Sequence, residues 1–340
     1  MDVGIVGGSG YGGAELLRLI HTHPTLKVRT VAAGSAAGRD LAEVFPHLGL
    51  TGTLAPSTPE ALDGCDVVFL ATPHAVSLQL APALRQQGAT VVDLSGAFRL
   101  PPDLFEQSYG LTHTAPQLSP AVYGLPELHR ADLPGAGLIA GPGCYPTAAL
   151  LALAPLAGLV DPAGVTIVGM SGSSGAGKGL RDDLHVSHAM GNTGAYAAPG
   201  HRHTPEIEAQ WAGLTGTDAP LSFTPHLVPQ VRGMVVTLYA TLTADAATAA
   251  ATVRDAYQAA YDTEPFVTVL PEGAWPQSTH VVGANSAHVG VATDPRTGRV
   301  TASCAIDNLT KGAAGQALQA ANVALGLPET DGLPTMAVYP

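Results

Sequence analysis

The chain has 340 residues, of which 46% are hydrophobic, and its formal net charge at pH 7 is −12. This content suffices for a large core, and the length favours two domains. The acidic balance argues against a nucleic-acid-binding surface, and no uncharged apolar run reaches the roughly 18–20 residues that span a bilayer. The first residues do not resemble a signal peptide. We expect a cytoplasmic protein whose partners are neither nucleic acids nor membranes.

The first 140 or so residues alternate apolar strands with helices. Strands are predicted at 2–6, 26–33, 67–71 and 91–94, and helices at 12–21, 39–44 and 76–87. This alternation is typical of a parallel α/β sheet. Residues 101–137 are rich in Pro, Gly and Tyr, and we predict irregular excursions there.

The pattern changes after residue 144. A helix is predicted at 145–156 and another at 246–261, with strands at 165–170, 221–228, 233–243, 287–293 and 299–306. Several strands with few helices favour an α+β domain with a mostly antiparallel sheet. A last helix, at 313–325, is predicted to be amphipathic and to return to the first domain.

A glycine-rich motif lies between the first strand and the first helix, where Gly8 to Gly13 match G-x-G-x-x-G. Glycines allow a tight turn, and the N-terminus of the following helix offers N–H groups to a pyrophosphate. The motif alone is weak, because glycine-rich turns are common, but here it has the required context. It predicts dinucleotide binding through residues Gly7, Ser9, Gly10, Tyr11, Gly12 and Gly13.

The end of the second strand indicates which dinucleotide is bound. Sites for NAD place an acid there for the ribose 2′-hydroxyl, whereas this chain has no acid before Asp40. A hydroxyl at Ser35 and a guanidinium at Arg39 suit a 2′-phosphate and favour NADP(H), although Arg39 can also be read as a solvated loop residue. Thr72 and Pro73 follow the third strand, where cofactors pass, with His74 as a pocket wall.

Cys144 follows Gly141-Pro142-Gly143 and precedes a predicted helix. A thiol at a helix N-terminus becomes a better nucleophile, so Cys144 is the candidate nucleophile, with a buried structural thiol as the alternative. Cys65 and Cys304 lie in or beside strand-like sequence and are expected to be packed. Three widely spaced cysteines fit a reducing compartment, and without zinc-ligand spacings we expect no metal site.

Several segments resemble the N-acetyl-gamma-glutamyl-phosphate reductase family, in family order over nearly the whole chain. They begin at Gly7, Asp93, Tyr123, Gly143, Ser171, Gly200 and Asp307, reading GGSGYGGAELLR, DLSGAFR, YGLPE, GCYPT, SGSSGAG, GHRHTPE and DNLTKG. The resemblance implies NADPH-dependent reduction of N-acetylglutamyl 5-phosphate to the 5-semialdehyde, through a thioester on Cys144. A sister activity reduces carrier-linked 2-aminoadipyl phosphate in lysine biosynthesis. In that branch asparagine and alanine tend to follow the cysteine, so Tyr145-Pro146 favours the arginine enzyme.

The expected fold is therefore an α/β Rossmann-type NADP-binding domain plus an α+β substrate-binding and dimerisation domain. We place the first at residues 1–143 and 312–340 and the second at 144–311. The partners expected are a small acyl phosphate and further copies of the chain, as a homodimer or homotetramer.

Proton transfer near neutral pH favours histidine. His203 is our candidate acid/base and His201 a substrate or orienting contact, with the reverse order left open. Thr204 resembles a helix cap followed by Pro at the first helical position, and a capped surface loop is the structural alternative. Glu206 either orients the histidine or thiol or is a first-turn helix charge.

The substrate's anionic groups require donors. Arg99 is the first candidate for a bidentate contact. Ser173 and Lys178 lie in a glycine-rich loop that is read as a phosphate site or as a flexible linker, and Ser174 and Gly175 of this loop are expected to contact the cofactor. By resemblance Asn308 lies near the nicotinamide, with Gln316 as a weaker candidate.

Two other functions compete with this hypothesis. Aspartate-semialdehyde dehydrogenase would use the same fold and a similar cysteine, but the sequences around Cys144 and His201 speak against it. A non-catalytic NADP-binding sensor would use Cys144 as a redox switch, yet a sensor does not need paired histidines and Arg99.

Overall fold

The computed structural model describes residues 1–339, apart from the side chains of 246–248. These residues form two compact units. Met1–Gly143 and Ala313–Leu333 make the first, and Cys144–Gly312 makes the second together with residues 334–339. The last residues differ from the predicted boundary at 312–340, because their backbone bonds to the second unit. Asn285 N donates to Pro334 O at 2.7 Å, and Val338 N donates to Val282 O at 2.9 Å.

The first unit contains a parallel sheet of seven strands. They are β1 (Asp2–Val6), β2 (Lys27–Ala33), β3 (Ala55–Pro56), β4 (Val67–Leu70), β5 (Thr90–Asp93), β6 (Val122–Tyr123) and β7 (Leu138–Ala140). Their order is β3-β2-β1-β4-β5-β7-β6, and every neighbouring pair is parallel. Every residue of β4 is buried, as expected for a sheet covered on both faces. The predicted Rossmann-type α/β domain is confirmed.

The helices of this unit before residue 144 are α1 (Tyr11–His21), α2 (Leu41–Val44), α3 (His74–Gln86), α4 (Pro102–Tyr109) and α5 (Pro126–His129). The expectation that 101–137 is irregular is wrong, because this stretch contains α4, α5 and β6. Proline opens both helices, where its missing N–H has no cost. Gly110 ends α4 in the left-handed conformation.

The second unit contains a mixed sheet. Its strands are β8 (Thr166–Ser171), β9 (Gly194–Ala195), β10 (Ser222–Leu227), β11 (Met234–Thr241), β12 (Val267–Val269), β13 (Ala287–Asp294) and β14 (Arg299–Ile306). In the order β12-β13-β14-β11-β8-β10-β9, the first and fifth pairs are parallel and the other pairs antiparallel. This confirms the mostly antiparallel second sheet. Its helices are α6 (Cys144–Leu153), α7 (Val186–Ala189), α8 (Thr204–Thr215) and α9 (Ala246–Tyr261).

Helix α6 lies against the sheet and is buried on all sides from Tyr145 to Leu153. A helix that is apolar all round is typical of a domain core. Two tyrosines on α9 donate hydrogen bonds to carbonyls near the end of α6. Tyr257 donates to Ala152 O, and Tyr261 donates to Leu151 O. The body and the end of α6 are thereby held in the core of the unit.

A π-helical turn at Thr310–Ala314 leads into α10 (Gly315–Ala324). The predicted last helix and its return to the first unit are confirmed. Its predicted amphipathic character is wrong, because nearly every residue of α10 is buried. Its polar side chains are tolerated since they are hydrogen-bonded within the first unit: Gln316 Nε2 donates to Gly124 O at 2.9 Å, and Asn322 Nδ2 donates to Asp331 O at 3.0 Å. Among the described residues, no helix has the length and hydropathy needed to cross a bilayer.

Candidate active site

In the glycine-rich turn after β1, Gly7 and Gly13 have no room for a side chain. Gly7 has φ +80, and a Cβ there would lie 2.1 Å from the carbonyl oxygen of Ala71. A Cβ at Gly13 would lie 2.5 Å from Gly7 O and 2.6 Å from Gly8 Cα. Both positions therefore require glycine, and the turn brings the start of α1 close to the end of β1.

The start of α1 suits an anion. Glycine stands at the cap position, Gly10, and its backbone is extended. Tyr11 to Ala14, the first turn, carry uncharged side chains, and the first amides of a helix lack partners within the helix. This arrangement fits the pyrophosphate of a dinucleotide.

The other predicted cofactor residues of the first unit lie at the carboxyl ends of its strands. Ser35 and Arg39 are exposed in the loop after β2. Thr72 Oγ1 lies 2.9 Å from Ser77 Oγ, and Pro73 is the N-cap of α3. His74 Nδ1 accepts from Gly96 N at 2.9 Å, which fixes this ring beside the loop that follows β5.

Arg99 is 8% exposed. Its Nε donates to Gly141 O at 2.7 Å, and its Nη2 donates to Leu94 O at 2.9 Å. The guanidinium thus joins two loops within the first unit. Contact between Arg99 and a substrate anion stays a prediction.

Cys144 is the first residue of α6 and is half-buried, whereas Cys65 and Cys304 are buried. A Cβ placed on Gly312 would lie 2.8 Å from Cys144 Cβ. The Gly312 backbone therefore packs directly against the cysteine. Burial raises the pKa of the Cys65 thiol, which makes it a poorer nucleophile at neutral pH.

A cavity of about 460 Å³ in the second unit is lined by Cys144, His201 and His203 together. The structure thus brings the three predicted catalytic residues to one place. Gly175 also lines this cavity, with Ser171 and Gly172. Within residues 1–339, no group of three or more His, Cys, Asp or Glu side chains is arranged to hold a metal ion.

His201 lies in an aromatic cluster. Its ring centroid is 5.8 Å from that of Tyr145, 5.5 Å from that of Tyr196 and 5.4 Å from that of Phe223. Burial, together with the charge of Arg202, lowers the pKa of His201 to about 4. Its Nδ1 accepts from His203 N at 3.1 Å, so the proton of the neutral ring is on Nε2. At neutral pH His201 is an uncharged hydrogen-bond donor.

His203 is the residue before α8, and its ring centroid lies 4.8 Å from that of His201. The helix starts at Thr204, so the prediction of Thr204 as its cap is displaced by one residue. Pro205 still lies in the first turn, where its ring is tolerated. Glu206 follows in the same turn and is 1% exposed, in a position where a helix dipole favours a carboxylate.

The glycine-rich loop after β8 is braced by Asn308. Its Oδ1 accepts from Gly233 N at 2.8 Å, and its Nδ2 donates to Ser174 Oγ at 2.9 Å. Ser173 Oγ lies 3.4 Å from Gln230 O, and Lys178 is exposed. Asn308 thus holds Ser174 in place, while contact between these side chains and a ligand stays a prediction.

The cavity residues that were not predicted as site residues from the sequence include Tyr145, Tyr196 and Arg181. Tyr145 OH donates to His226 O at 3.1 Å, and Tyr196 OH donates to Tyr145 OH at 3.4 Å. Burial raises the pKa of both phenols. The position of Tyr145 next to the cysteine was a usable signal, whereas Tyr196 and Arg181 come from irregular sequence.

Two family models match the chain. The semialdehyde dehydrogenase NAD binding domain matches residues 2–136, and the semialdehyde dehydrogenase dimerisation domain matches residues 144–308. The structure of aspartate semialdehyde dehydrogenase II from Vibrio cholerae aligns at TM-score 0.71 and 17% identity, over 95% of this chain and 97% of that chain. The Candida albicans enzyme with NADP aligns at TM-score 0.68 and 16% identity, over 95% and 97%. At these identities the likeness shows the fold.

Curated relatives are much more similar in sequence. The N-acetyl-gamma-glutamyl-phosphate reductase of Symbiobacterium thermophilum is 48% identical over 340 residues, covering 97% of each chain. That of Pseudarthrobacter chlorophenolicus is 47% identical over 348 residues, covering 100% of this chain and 99% of its own. With its dinucleotide cradle, helix-start thiol and paired histidines, the chain belongs to the N-acetyl-gamma-glutamyl-phosphate reductase family of NADP-dependent oxidoreductases.

Proposed function

We propose that this protein reduces N-acetyl-L-glutamyl 5-phosphate to N-acetyl-L-glutamate 5-semialdehyde with release of phosphate, in arginine biosynthesis. The observation that supports it most is the cavity that contains Cys144, His201 and His203. A thiol and two histidines in one pocket are what acyl transfer through a thioester requires. Aspartate-semialdehyde dehydrogenases share the fold at 15–20% identity, whereas the reductases are 43–48% identical.

The reaction begins with attack of the Cys144 thiolate on the acyl carbon. A carbon–sulfur bond forms, the carbon–oxygen bond to phosphate breaks, and the acyl group is held as a thioester. NADPH, when bound, would supply a hydride to this acyl carbon, and the acyl group on Cys144 would become a thiohemiacetal. Collapse of the thiohemiacetal releases the aldehyde and returns the thiolate.

The two histidines take different roles. His203 is the acid/base that protonates the developing alkoxide and later removes that proton as the thiohemiacetal collapses. His201, with its pKa lowered to about 4 and its proton on Nε2, stays neutral and donates a hydrogen bond that orients the substrate. Glu206, buried in the first turn of α8, is a positioning group for these side chains.

The cofactor would be held by the glycine-rich turn and by residues that follow the strands. The turn at Gly7 to Gly13 and the start of α1 would hold the pyrophosphate, and Ser35 and Arg39 would hold the 2′-phosphate. Thr72 and Pro73 would line the path of the cofactor, and Ser174, Gly175 and Asn308 would make further contacts with it. Arg99, Ser173 and Lys178 bind the anionic groups of the substrate. The protein acts in the cytoplasm as a homodimer or homotetramer.

The experiment that tests this function is phosphate-dependent reduction of NADP⁺, followed by NADPH absorbance, with N-acetylglutamate semialdehyde beside aspartate semialdehyde. The wild type turns over the acetylated substrate, and Cys144→Ser loses that activity with its fold retained. Cys65→Ala, a change at a buried thiol of the first unit, keeps turnover and serves as the matched control.

Other results would change the assignment of the substrate, of the nucleophile or of the two histidines. Turnover of aspartate semialdehyde alone would identify the rival dehydrogenase. Undiminished activity of Cys144→Ser would remove the nucleophile assignment. If His201→Gln abolished kcat while His203→Gln kept it, the roles of the two histidines would be reversed.

A further inference from the structure

The substrate of the proposed reaction is anionic at both ends, with a phosphate on the reacting carbon and a carboxylate beside the acetamido group. In a protein with net charge −12, specific cations must hold these groups. Arg202 lines the cavity beside His201 and His203. Arg99 and Lys178, proposed above for these groups, are not among the residues that line the cavity, whereas Arg181 is.

Arg181 also lines the cavity that contains Cys144, and so does Asp183. The two form an ion pair in which Arg181 Nε donates to Asp183 Oδ1 at 2.9 Å and Nη2 donates to Oδ2. The pair is therefore bidentate, which is the geometry in which a guanidinium recognises a carboxylate. Both side chains are about half exposed, at 54% and 51%.

An exposed ion pair of this kind contributes little to stability, on the order of 0–1 kcal/mol. The two residues lie in 178–200, a segment that is exposed apart from the half-buried Leu184 and Ala189. The Asp183 carboxylate can therefore be displaced from Arg181 at low cost by another carboxylate that enters the cavity.

We infer that Arg181 binds the α-carboxylate of the substrate, and that Asp183 occupies this guanidinium in the free protein and is displaced when substrate binds. This inference rests on the proposed function, because the reaction supplies the carboxylate. It makes Arg181 a specificity-determining residue, and it makes Asp183 an internal competitor that keeps the guanidinium oriented.

The test is steady-state kinetics in the oxidation direction with Arg181→Gln and Asp183→Asn. Arg181→Gln raises the KM for N-acetylglutamate semialdehyde about tenfold or more, with kcat within about twofold and the KM for phosphate unchanged. Asp183→Asn lowers the KM for the semialdehyde a few-fold, because the competing carboxylate is removed. Arg296→Gln is the matched control, since Arg296 pairs with Asp294 at the same two-residue spacing in the hairpin between β13 and β14.

A second substrate separates carboxylate binding from a structural effect. The aldehyde 4-acetamidobutanal is N-acetylglutamate semialdehyde without its carboxylate, so its kcat/KM is the same for wild type and Arg181→Gln. An equal loss on both aldehydes, or a change confined to the KM for phosphate, would overturn the inference. An inactive wild type would remove the proposed function as well, whereas an active wild type with an insensitive Arg181→Gln would remove the role of Arg181 alone.

Discussion

At the scale of single residues, His201 and His203 show how two neighbours of the same type acquire different properties. Both are 7% exposed. The His201 ring accepts a hydrogen bond from the backbone N–H of His203 and contacts the rings of Tyr145 and Phe223. The backbone hydrogen bond selects the Nε2–H tautomer, and burial with the Arg202 charge keeps that ring neutral. The two-residue spacing thereby fixes the tautomer of His201, while the acid/base role of His203 stays a prediction.

The buried neutral ring has a consequence for acid stability. The pKa of His201 is about 4 in the folded protein against 6.5 ordinarily, so the unfolded chain binds more protons between these values. The free energy of unfolding therefore falls as pH falls from about 6.5 to 4, by at most about 3 kcal/mol from this group. In His201→Gln this contribution is absent.

Urea unfolding of wild type and His201→Gln at several pH values measures the effect. His23 and His288, whose pKa values are also lowered by burial, contribute equally to both proteins and cancel in the difference. His47→Gln, at an exposed position, is the control and should follow the wild type. A difference between wild type and His201→Gln that does not change with pH would contradict the assignment.

Local sequence correctly placed Cys144 at a helix start, because glycine and cysteine stand directly before an apolar run, and the structure places His201 and His203 in the same cavity. Their catalytic roles stay predictions. The sequence carried no signal for Tyr196, which follows a two-residue strand that pairs with β10, and such pairing depends on residues far apart in the chain. For Arg99 the sequence did not show that its guanidinium is bonded to two backbone carbonyls, and its contact with a substrate anion stays a prediction.

At the scale of elements, the turn between β1 and α1 shows why its sequence motif consists of glycines. A methyl group on Gly13 would meet Gly7 O at 2.5 Å and Gly8 Cα at 2.6 Å, and backbone atoms cannot yield as side chains do. Gly13→Ala is therefore expected to open the turn and to weaken NADPH binding by at least about tenfold.

Titration of NADPH fluorescence measures this loss of affinity. Gly34→Ala is the control, because a Cβ at Gly34 points into open space although the residue lies near the predicted 2′-phosphate contacts. Equal affinities of Gly13→Ala and Gly34→Ala would show that this turn does not hold the cofactor.

Long elements with clear periodicity were predicted almost residue by residue, as for α9 and β14. The short elements between 101 and 140 were missed, since a two-residue strand such as β6 has no periodicity of its own and exists through pairing with β7. The buried polar face of α10 was misread for a related reason. Polar side chains in a sequence predict an exposed helix face. In α10 they are buried, because Gln316 and Asn322 donate hydrogen bonds to the carbonyls of Gly124 and Asp331.

At the scale of the whole molecule, one face of the second sheet is covered by α6 and α9, and the other presents Met170 and Tyr239, each 41% exposed. The register places these two residues on the same face, since Met170 pairs with Val235 and Tyr239 lies four residues further along β11. The matching family model describes this region as a dimerisation domain. We expect this face to be the interface between copies of the chain.

Light scattering coupled to gel filtration tests this expectation. The mass is expected to be two or four times 34.4 kDa, and Tyr239→Glu, which places a charge on the face, is expected to shift the protein toward a smaller species. Tyr339→Glu, at an exposed position near the C-terminus, is the control. A wild-type mass equal to one chain would contradict the prediction.

The burial of α6 has a consequence for how long each wall of the cavity keeps its shape. Amides in a helix enclosed on all sides exchange with deuterium through opening of the surrounding domain, whereas those of an exposed segment exchange through local openings. Tyr145, directly after Cys144, belongs to the first kind of wall, and Arg181 and Tyr196 belong to the second. We therefore expect native-state fluctuations to reshape the part of the cavity around Arg181 and Tyr196 more often than the part around the start of α6.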